Sequence, residues 1–358
     1  MKALQVLLSI FLLGLVLVAG VGAYAWFELN NPTAHERAGE IVNIPIGSST
    51  EHTVQKLSEL GIIHNETLFK LYIKAKKEGP LIQAGDYQFP SPISPIAVLS
   101  LLKTGGLVPF KFTIIEGWTR WDIANAIAAM PALKMPKAQS AFALMNDTTS
   151  IKDLDPKAPN LEGYLFPDTY AVHSTTTAKD VIDASVKRFH EVWKQNLARP
   201  AKERGLTPHQ VVTIASIIET EAKLPKERPI VASVIYNRLR QKINLSVDCT
   251  VIYASKLAGK WKNDGKVYLS DVNRDSPYNT RKVTGLPPGP VGSPGLASME
   301  ATLHPASTNY IYYVRDPDKN DGTHNFYANA SDFERGVQAL RNWESRRDSK
   351  LKNQVKKH

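Results

Sequence analysis

The sequence predicts an α+β protein made of an N-terminal transmembrane helix, a small α/β module and a larger mixed α+β domain. Its 358 residues, 43% of them hydrophobic, are enough to bury two or three separate cores. Residues 3–27 are uncharged and mostly apolar. Beyond residue 41, short alternating stretches typical of strands are interspersed with stretches that repeat apolar residues every three to four positions, as helices do.

The apolar N-terminal stretch predicts a membrane anchor over residues 1–29. At ~1.5 Å per residue, residues 3–27 are long enough to cross ~30 Å of hydrocarbon, and Tyr24, Trp26 and Phe27 stand where an interfacial aromatic belt lies. The alternative is a cleaved signal peptide, since residues 23–25 read Ala-Tyr-Ala. The apolar run exceeds the ~7–15 residues of a usual signal core. We therefore expect an uncleaved span with its N-terminus inside the cell.

A polar linker at residues 30–40 leads into a small α/β module at residues 41–108. The module is predicted to begin with a strand at 41–46 and a helix that is opened by a capping box at Ser48-Ser49-Thr50-Glu51 and ended by Gly61. A second helix follows, through Leu68, Phe69, Tyr72 and Ile73. A strand around Gly85-Asp86-Tyr87 and a helix opened by Ser94-Pro95 complete the module.

A second βα unit and a connector are predicted at residues 109–159. Alternation at Phe110, Phe112 and Ile114 predicts the strand, and Glu116-Gly117-Trp118-Thr119 leads into a helix. The remainder, residues 131–159, is dotted with lysine, aspartate and proline and predicts a connector or a flexible helical insertion.

The large domain is expected at residues 160–340. It opens with the motif EGYLFPDTY within residues 161–170, which suits either a fixed loop that handles a ligand or a packed loop without one. Towards its end, residues 310–314 and 324–327 predict a hairpin. The turn at residues 316–322 imitates a calcium loop, but its glycine stands one position late and Tyr327 replaces the final glutamate.

The net charge indicates the kind of partner, and the cysteine content limits the kinds of site that the chain can form. The formal net charge of +10 favours an anionic partner: nucleic acid, acidic membrane lipid or a carboxylate-bearing polymer. Much of the excess lies in a basic tail, residues 341–358, which we expect to be a solvated helix end. Cys249 is the only cysteine, so an intrachain disulfide and a cysteine-based metal site are excluded. Neither a zinc-type histidine pair nor a serine nucleophile elbow occurs.

Two carboxylates, Glu219 and Glu221, interrupt a helical apolar pattern that starts at Val211. At ~100° per residue, Glu219 falls about 80° and Glu221 about 280° from Val211, so the two acids flank the buried stripe on opposite edges. One edge carboxyl could be partly desolvated and serve as a general acid. The alternative is that both pair with basic neighbours, and spacing alone leaves the two acids equal.

Several motifs follow one another in a characteristic order. They are ASIIETE at 215–221, NRL at 237–239, DCTVIY at 248–253, YNT at 278–280, GLPPGP at 285–290 and SPG at 293–295. Together with EGYLFPDTY they resemble the YceG-like family of endolytic murein transglycosylases. The resemblance covers the anchor, the module from residue 41, which looks like a LysM-like domain, and nearly everything from Glu162 to Phe326. One departure is Cys249, where the family usually has proline.

The resemblance implies a membrane-anchored lytic transglycosylase that cuts within peptidoglycan glycan strands. The cut bond joins N-acetylmuramic acid to N-acetylglucosamine, leaves a 1,6-anhydromuramic end and terminates nascent strands. Glu219, the first acid of ASIIETE, is then the single general acid/base. The implied setting is the inner membrane, crossed once by residues 3–27, with the N-terminus cytoplasmic and the bulk of the chain periplasmic. Membrane lipid and peptidoglycan synthases are implied partners, and no nucleic acid, metal or cofactor is expected.

Other residues of the matching motifs are carried over as substrate-binding or supporting residues. Asn237 would donate to a sugar or to the catalytic carboxyl, and Arg238 would pair with Glu221 or Asp248. The full set is Glu221, Asn237, Arg238, Asp248, Thr250, Tyr278, Asn279, Thr280, Glu162 and Tyr164, of which YNT would line the saccharide groove while Glu162 and Tyr164 would close its other wall. Each has a purely structural role as its alternative.

Two further functions stay open at this stage. The chain could be a non-catalytic peptidoglycan-binding scaffold with a degenerate catalytic domain, or a muramidase that uses water as the nucleophile. The retention of Glu219 in its motif favours an enzyme over a scaffold, and the chemistry of the product separates the two enzymes.

Overall fold

The structure is a computed structural model that describes residues 2–45, 47–106, 110–319 and 321–355. Helices alternate with short two-stranded sheets, which confirms the predicted mixed α+β class. The chain divides into two compact units. The first comprises Met1–Lys111 and Ala171–Thr176, and the second comprises Phe112–Tyr170 and Thr177–His358.

The first unit begins with a long apolar helix, α1 (Lys2–Asn30). Within the described residues, its segment Ile10–Asn30 is the one stretch long and apolar enough to cross a membrane. By length and composition it is compatible with single-pass anchoring.

The rest of the first unit contains the helices and strands predicted for the small module. They are β1 (Val42–Ile44), α2 (Thr50–Glu59), α3 (Glu66–Lys76), β2 (Gly85–Tyr87) and α4 (Pro95–Lys103). β1 and β2 are antiparallel, with Val42 opposite Tyr87. Ser94 caps α4 just before its proline, as predicted. The core comes from all five elements and includes Ile44, Val54, Phe69, Tyr87 and Val98.

The capping box predicted at residues 48–51 is wrong by one residue. Ser49, not Ser48, caps α2, and its hydroxyl accepts from the backbone N–H of His52. A capping box needs a glutamate or glutamine three residues after the cap, and His52 occupies that position. Glu51 lies in the first turn instead, where its charge is favourable at the helix N-terminus.

After the small module come β3 (Phe110–Thr113), α5 (Arg120–Ala128), α6 (Ala138–Leu144) and β4 (Thr169–Val172). α5 and α6 belong to the second unit, whereas β3 and β4, which pair with each other, each include residues of both units. The stretch 131–159 contains the helix α6, which agrees with the predicted alternative of a helical insertion and not with a plain connector. α6 packs against α5, where the rings of Trp121 and Phe142 lie 5.1 Å apart, and Ala141 and Ile151 are fully buried. Apolar residues spaced among the charged ones therefore contribute to the core.

The remaining elements of the second unit are mostly helices. They are α7 (Ala178–Val192), α8 (Ala198–Glu203), α9 (Pro208–Glu221), α10 (Arg228–Arg240), α11 (Asp248–Leu257), α12 (Leu269–Val272), α13 (Leu296–Leu303), the antiparallel strands β5 (Tyr312–Arg315) and β6 (His324–Tyr327), and α14 (Ala330–Val355). The β5–β6 pair confirms the predicted hairpin.

α9 is the central helix of this unit and contacts α10, α11 and α13. It begins with a capping box between Thr207 and Gln210. The helix is buried on more sides than its apolar stripe predicts, because Thr213 and Ser216 are buried too. Ser216 Oγ accepts from the backbone N–H of Val291 at 3.1 Å. The last turn of α9, with Glu219 and Glu221, is its least buried part.

Candidate active site

Glu219 lies where three helices meet. Its side chain is only 5% exposed, and each of its carboxylate oxygens has a donor. Oε1 accepts from the Arg228 guanidinium at 2.9 Å, and Oε2 accepts from the backbone N–H of Gly295 at 2.8 Å. Arg228 is the first residue of α10 and Gly295 caps α13. The ends of α9, α10 and α13 therefore fix the orientation of this carboxyl.

A second carboxyl group, Glu116, lies beside Glu219. Its Oε2 is 3.5 Å from the same Arg228 nitrogen that binds Glu219. Burial raises the pKa of Glu116, and the charge of Glu219 and a hydrogen bond to it raise this pKa further, whereas Arg228 opposes the shift. The Glu116 side chain is 50% exposed. The site thus contains two adjacent carboxyl groups and one guanidinium, with Glu116 the more accessible acid.

Gly295 allows the close approach of Glu116. A Cβ atom at this position would overlap Oε1 of Glu116 and lie 2.6 Å from its Cδ. The backbone of Gly295 is in the extended region, with φ −76° and ψ 167°, so the lack of a side chain, and not a special backbone conformation, is what matters here. This explains the glycine of the SPG motif.

Two reciprocal backbone hydrogen bonds hold Glu116 in place. The N–H of Gly117 donates to the carbonyl of Ser293, and the N–H of Ser293 donates to the carbonyl of Trp118, both at 2.8 Å. A Cβ at Gly292 would lie 2.7 Å from the Gly117 carbonyl oxygen. The turn after β3 and the SPG segment are therefore locked together next to Glu219.

The sequence analysis missed Glu116 because it treated Glu116-Gly117-Trp118-Thr119 only as the link from a strand to a helix. One signal was available. Gly117 has φ +80°, and an acid followed by glycine in a strand-to-helix turn places a carboxyl at an accessible edge.

Glu221 lies on the opposite edge of α9, as the helical geometry predicts. Its Oε2 accepts from the Tyr313 hydroxyl at 2.8 Å. Burial raises the pKa of Glu221, the Tyr313 hydrogen bond lowers it, and the charge of Asp248 raises it. Burial also raises the pKa of the neighbouring Cys249 thiol well above its usual range. Glu221 therefore belongs to a buried cluster separate from the contacts of Glu219.

The expected contacts of Asn237 and Arg238 are wrong. Asn237 is buried, and its amide donates to the backbone carbonyls of Thr308 and Tyr310 at 2.9 and 2.8 Å. The Arg238 guanidinium likewise donates to three backbone carbonyls instead of pairing with a carboxylate; these belong to Ile311, Asn244 and Leu245. The NRL motif anchors the chain around α10, because buried backbone carbonyls need donors.

Glu162 and Tyr164 do not form the wall of a groove, because both are buried in the core. The Glu162 carboxylate accepts from the Tyr253 hydroxyl at 3.0 Å and lies 3.7 Å from the Arg120 guanidinium. Burial raises the pKa of Glu162 to about 7 despite these partners. The Tyr164 hydroxyl donates to Asp155 at 2.7 Å.

Gly163 explains why the EGYLFPDTY and GLPPGP motifs occur together. Its φ is +83°, and a Cβ there would lie 2.6 Å from both Pro290 Cβ and Val212 Cγ1. The two motifs are thus packed directly against each other and against α9. Of the two alternatives given for EGYLFPDTY, a packed loop that binds no ligand agrees with these contacts.

The remaining predicted site residues have mostly structural contacts. The hydroxyls of Thr250 and Thr280 bond to each other at 2.7 Å, deep in the core. The Asn279 amide donates to two backbone carbonyls, those of Val272 and Arg274.

Asp248 pairs with Arg281 at 2.6 Å on the surface. Tyr278 is half-buried, its ring 4.8 Å from that of Tyr253, and burial raises its pKa to about 12.

Two large cavities of this unit lie away from the carboxyl pair. One, of about 620 Å³, is lined by residues of α6 and α7 together with the loop at 147–150. The other, of about 580 Å³, is lined by residues of α10 and the segment 305–308. Within the part of the chain that the structure describes, no group of three or more histidine, cysteine, aspartate or glutamate side chains could hold a metal ion.

The carboxyl pair has the chemistry of acid/base catalysis. A buried carboxylate held by two donors and a more exposed carboxyl with a raised pKa can give and take one proton at nearly the same place. The guanidinium and the backbone N–H fix the geometry that such a transfer requires.

The chain is similar to a known protein family and to several known proteins. The sequence model of the YceG-like family matches residues 42–339. A curated protein of Bacillus subtilis named endolytic murein transglycosylase is 37% identical over 292 residues, covering 76% of this chain and 78% of the relative. A protein of the same name from Streptococcus pneumoniae is 30% identical over 322 residues, covering 83% of this chain but 57% of the relative. The crystal structure of a yceG-like protein from Listeria monocytogenes has 30% identity and a TM-score of 0.57, and the match covers 82% of this chain and 97% of that one.

Proposed function

This chain belongs to the YceG-like family, and on that basis we propose that it is an endolytic murein transglycosylase anchored in the inner membrane by α1. It cleaves the β-1,4 bond between N-acetylmuramic acid and N-acetylglucosamine within peptidoglycan strands and leaves 1,6-anhydromuramic ends. The observation that carries the proposal is the Glu219 carboxyl, buried and oriented by Arg228 and Gly295 in a chain with relatives of that name.

The reaction needs one proton and no water. A carboxyl proton of Glu219 moves to the glycosidic oxygen as the bond from that oxygen to C1 of the muramic residue breaks. The C6 hydroxyl of the same muramic residue then forms a bond to C1 and returns its proton to the Glu219 carboxylate. The carboxyl ends as it began, and the charge that develops on the sugar during bond breaking is stabilised by the nearby carboxylate.

The contacts of Glu219 hold its carboxyl in one orientation throughout this cycle. Arg228 and the Gly295 N–H each hydrogen-bond to one of its oxygens, so the proton leaves from and returns to a fixed position. Gly295 caps α13, which ties one of these donors to the end of a helix.

The setting of the enzyme is part of the proposal. α1 crosses the inner membrane once, with the N-terminus cytoplasmic and the bulk of the chain periplasmic. Residues 41–108 form a LysM-like module, supported by the compact β1-α2-α3-β2-α4 order. The biological role is to terminate nascent glycan strands next to peptidoglycan synthases, and the partners are the strands, membrane lipid and those synthases.

The proposal is tested by mass spectrometry of products from purified glycan strands incubated with the full chain in detergent. We expect anhydro-ended fragments from the wild type and a loss of at least ~100-fold in Glu219→Gln, the size typical of a lost general acid/base. Glu300→Gln is the matched control, since Glu300 is an exposed acid on α13, and it should retain activity.

Each other outcome identifies a different function. Reducing-end products alone would mean hydrolysis by water and a muramidase. Glycan binding without cleavage by the wild type would indicate a scaffold. Full activity of Glu219→Gln, with a circular dichroism spectrum like the wild type, would show that Glu219 is not the acid/base.

A further inference from the structure

We propose that Glu116 is a positioning residue that acts through Glu219: the two carboxyl groups share one proton, and Glu116 keeps that proton available to Glu219 at neutral pH. This inference rests on the proposed transglycosylase function and adds to it a second acid that the family resemblance did not supply.

The need for such a partner follows from the contacts of Glu219. A general acid must carry a proton before the reaction starts. The two groups that donate to Glu219 are a guanidinium and a backbone N–H, and neither gives up a proton near neutral pH. A proton for Glu219 therefore has to come from another neighbour that exchanges protons with solvent.

Glu116 is placed to meet that need. Two carboxylates in contact repel each other, so the pair retains a proton that a lone carboxylate would release. The charged groups that face Glu116 are Glu219 on α9 and Arg228 on α10. Because one arginine lies between two acids, the pair is neutralised when it holds one proton.

The residues around Glu116 fix its backbone and leave space for its carboxyl group. The Gly117–Ser293 and Ser293–Trp118 hydrogen bonds fix the backbone next to it, and the missing side chain of Gly295 leaves room for its oxygen. The half-exposed position of Glu116 above the nearly buried Glu219 also connects the pair to solvent. A surface acid with only a structural role would not require a glycine at position 295 to make room for its oxygen.

The proton balance of the reaction is unchanged. The pair starts with one proton, which leaves through Glu219 to the glycosidic oxygen as the bond to C1 breaks. The proton of the attacking C6 hydroxyl then returns to the pair as the new bond to C1 forms. No co-reactant is needed, and the shared hydrogen bond lets the proton settle on either carboxyl between turnovers.

The test is the pH profile of kcat/KM for glycan cleavage by the full chain, in the wild type, Glu116→Gln and Gly295→Ala. Glutamine removes the neighbouring charge at almost constant shape, whereas the alanine Cβ pushes the Glu116 carboxyl away and keeps its charge. In both variants we expect the alkaline limb to move to lower pH by about one unit or more, so that activity lost at neutral pH returns on acidification. Glu300→Gln, the exposed control, should keep the wild-type profile.

Two results would overturn the role of Glu116. One is an unchanged profile in Glu116→Gln. The other is an equal loss at every pH in a folded variant, which is the pattern of a structural defect.

A second measurement does not depend on activity. In a carbon-13 titration of labelled glutamate carboxyls, we expect the raised pKa of Glu116 to fall in Glu219→Gln, because that pKa is raised in part by the charge of Glu219. Glu162, whose pKa is about 7, serves as an internal reference that should not move. If the pKa of Glu116 is the same in the wild type and in Glu219→Gln, the two carboxyl groups do not share a proton and the inference is wrong. If that pKa falls but the wild type does not cleave glycan, only the proposed transglycosylase function is wrong.

Discussion

The contact at Gly163 yields a stability prediction whose size follows from the structure. We expect Gly163→Ala to destabilise the second unit through two separate effects. The residue has φ +83°, and its added Cβ would lie 2.6 Å from atoms of Pro290 and Val212. Proline is rigid and Val212 is fully buried within α9, so neither neighbour can move away easily.

The magnitude is the sum of these effects. A left-handed backbone costs a residue other than glycine about 1–2 kcal/mol, and an extra methyl group in a packed core adds about 1–3 kcal/mol. Alanine recovers about 0.4–1 kcal/mol by restricting the unfolded chain. We therefore expect a loss of about 1–5 kcal/mol in the free energy of unfolding. Gly205→Ala is the matched control, because Gly205 has φ +67° and no atom within 4 Å of its would-be Cβ, so it should lose only about 1 kcal/mol.

The assay is guanidinium unfolding of the detergent-solubilised chain, followed by tryptophan fluorescence. Five of the six tryptophans belong to the second unit, so the signal reports mainly on the part that contains Gly163. Equal midpoints and slopes for Gly163→Ala and Gly205→Ala would show that the packing contact with Pro290 and Val212 contributes nothing, and the reasoning would be refuted.

The remaining predictions concern two groups with raised pKa values, Glu162 and Cys249. Since burial raises the pKa of Glu162 from 4.5 to about 7, its contribution to stability is full below pH ~4.5 and is lost as pH rises through 7, a change of about 3 kcal/mol. Denaturant unfolding at pH 5 and pH 8 measures this change in the free energy of unfolding for the wild type and for Glu162→Gln. The same pH dependence in both proteins would contradict the assignment to Glu162. The Cys249 thiol is partly buried and has a raised pKa, so it should react with an aromatic disulfide about 10-fold more slowly in the native than in the unfolded chain; similar rates would show that the fold does not protect it.

Local signals in the sequence were sufficient for much of the fold. Ser94-Pro95 begins α4 as predicted, and Gly61 follows the end of α2 with φ +71°. β5 and β6 form the hairpin that was predicted from residues 310–314 and 324–327. These features depend on the preferences of a few adjacent residues, such as a proline that fixes φ or a glycine that adopts a left-handed conformation. The shift of the α2 cap from Ser48 to Ser49 shows the limit, because two adjacent serines offer the same chemistry.

Features that depend on distant partners were not predictable in this way. Asn237 looked available for a ligand, but the segment at 308–310 binds its amide. Thr213 and Ser216 are polar and lie outside the apolar stripe of α9, but both are buried. The acid-glycine pair at Glu116 indicates an accessible carboxyl but not its partner, because the contact with Glu219 depends on the backbone hydrogen bonds of Ser293 with Gly117 and Trp118. Periodicity gives the edge of a helix on which an acid lies, and it does not give the element that covers that edge.

The backbone bonds between the turn at Gly117 and Ser293 have a consequence for biosynthesis. They join two segments that are separated along the chain by all of the helices from α5 to α12. A growing chain that has already produced Glu219 and Arg228 still lacks Gly295, and therefore lacks both the N–H that orients one acid and the space that receives the other. The proposed catalytic site therefore cannot form until residue 295 has been synthesised, so chains that stop before this residue would lack the proposed cleavage activity.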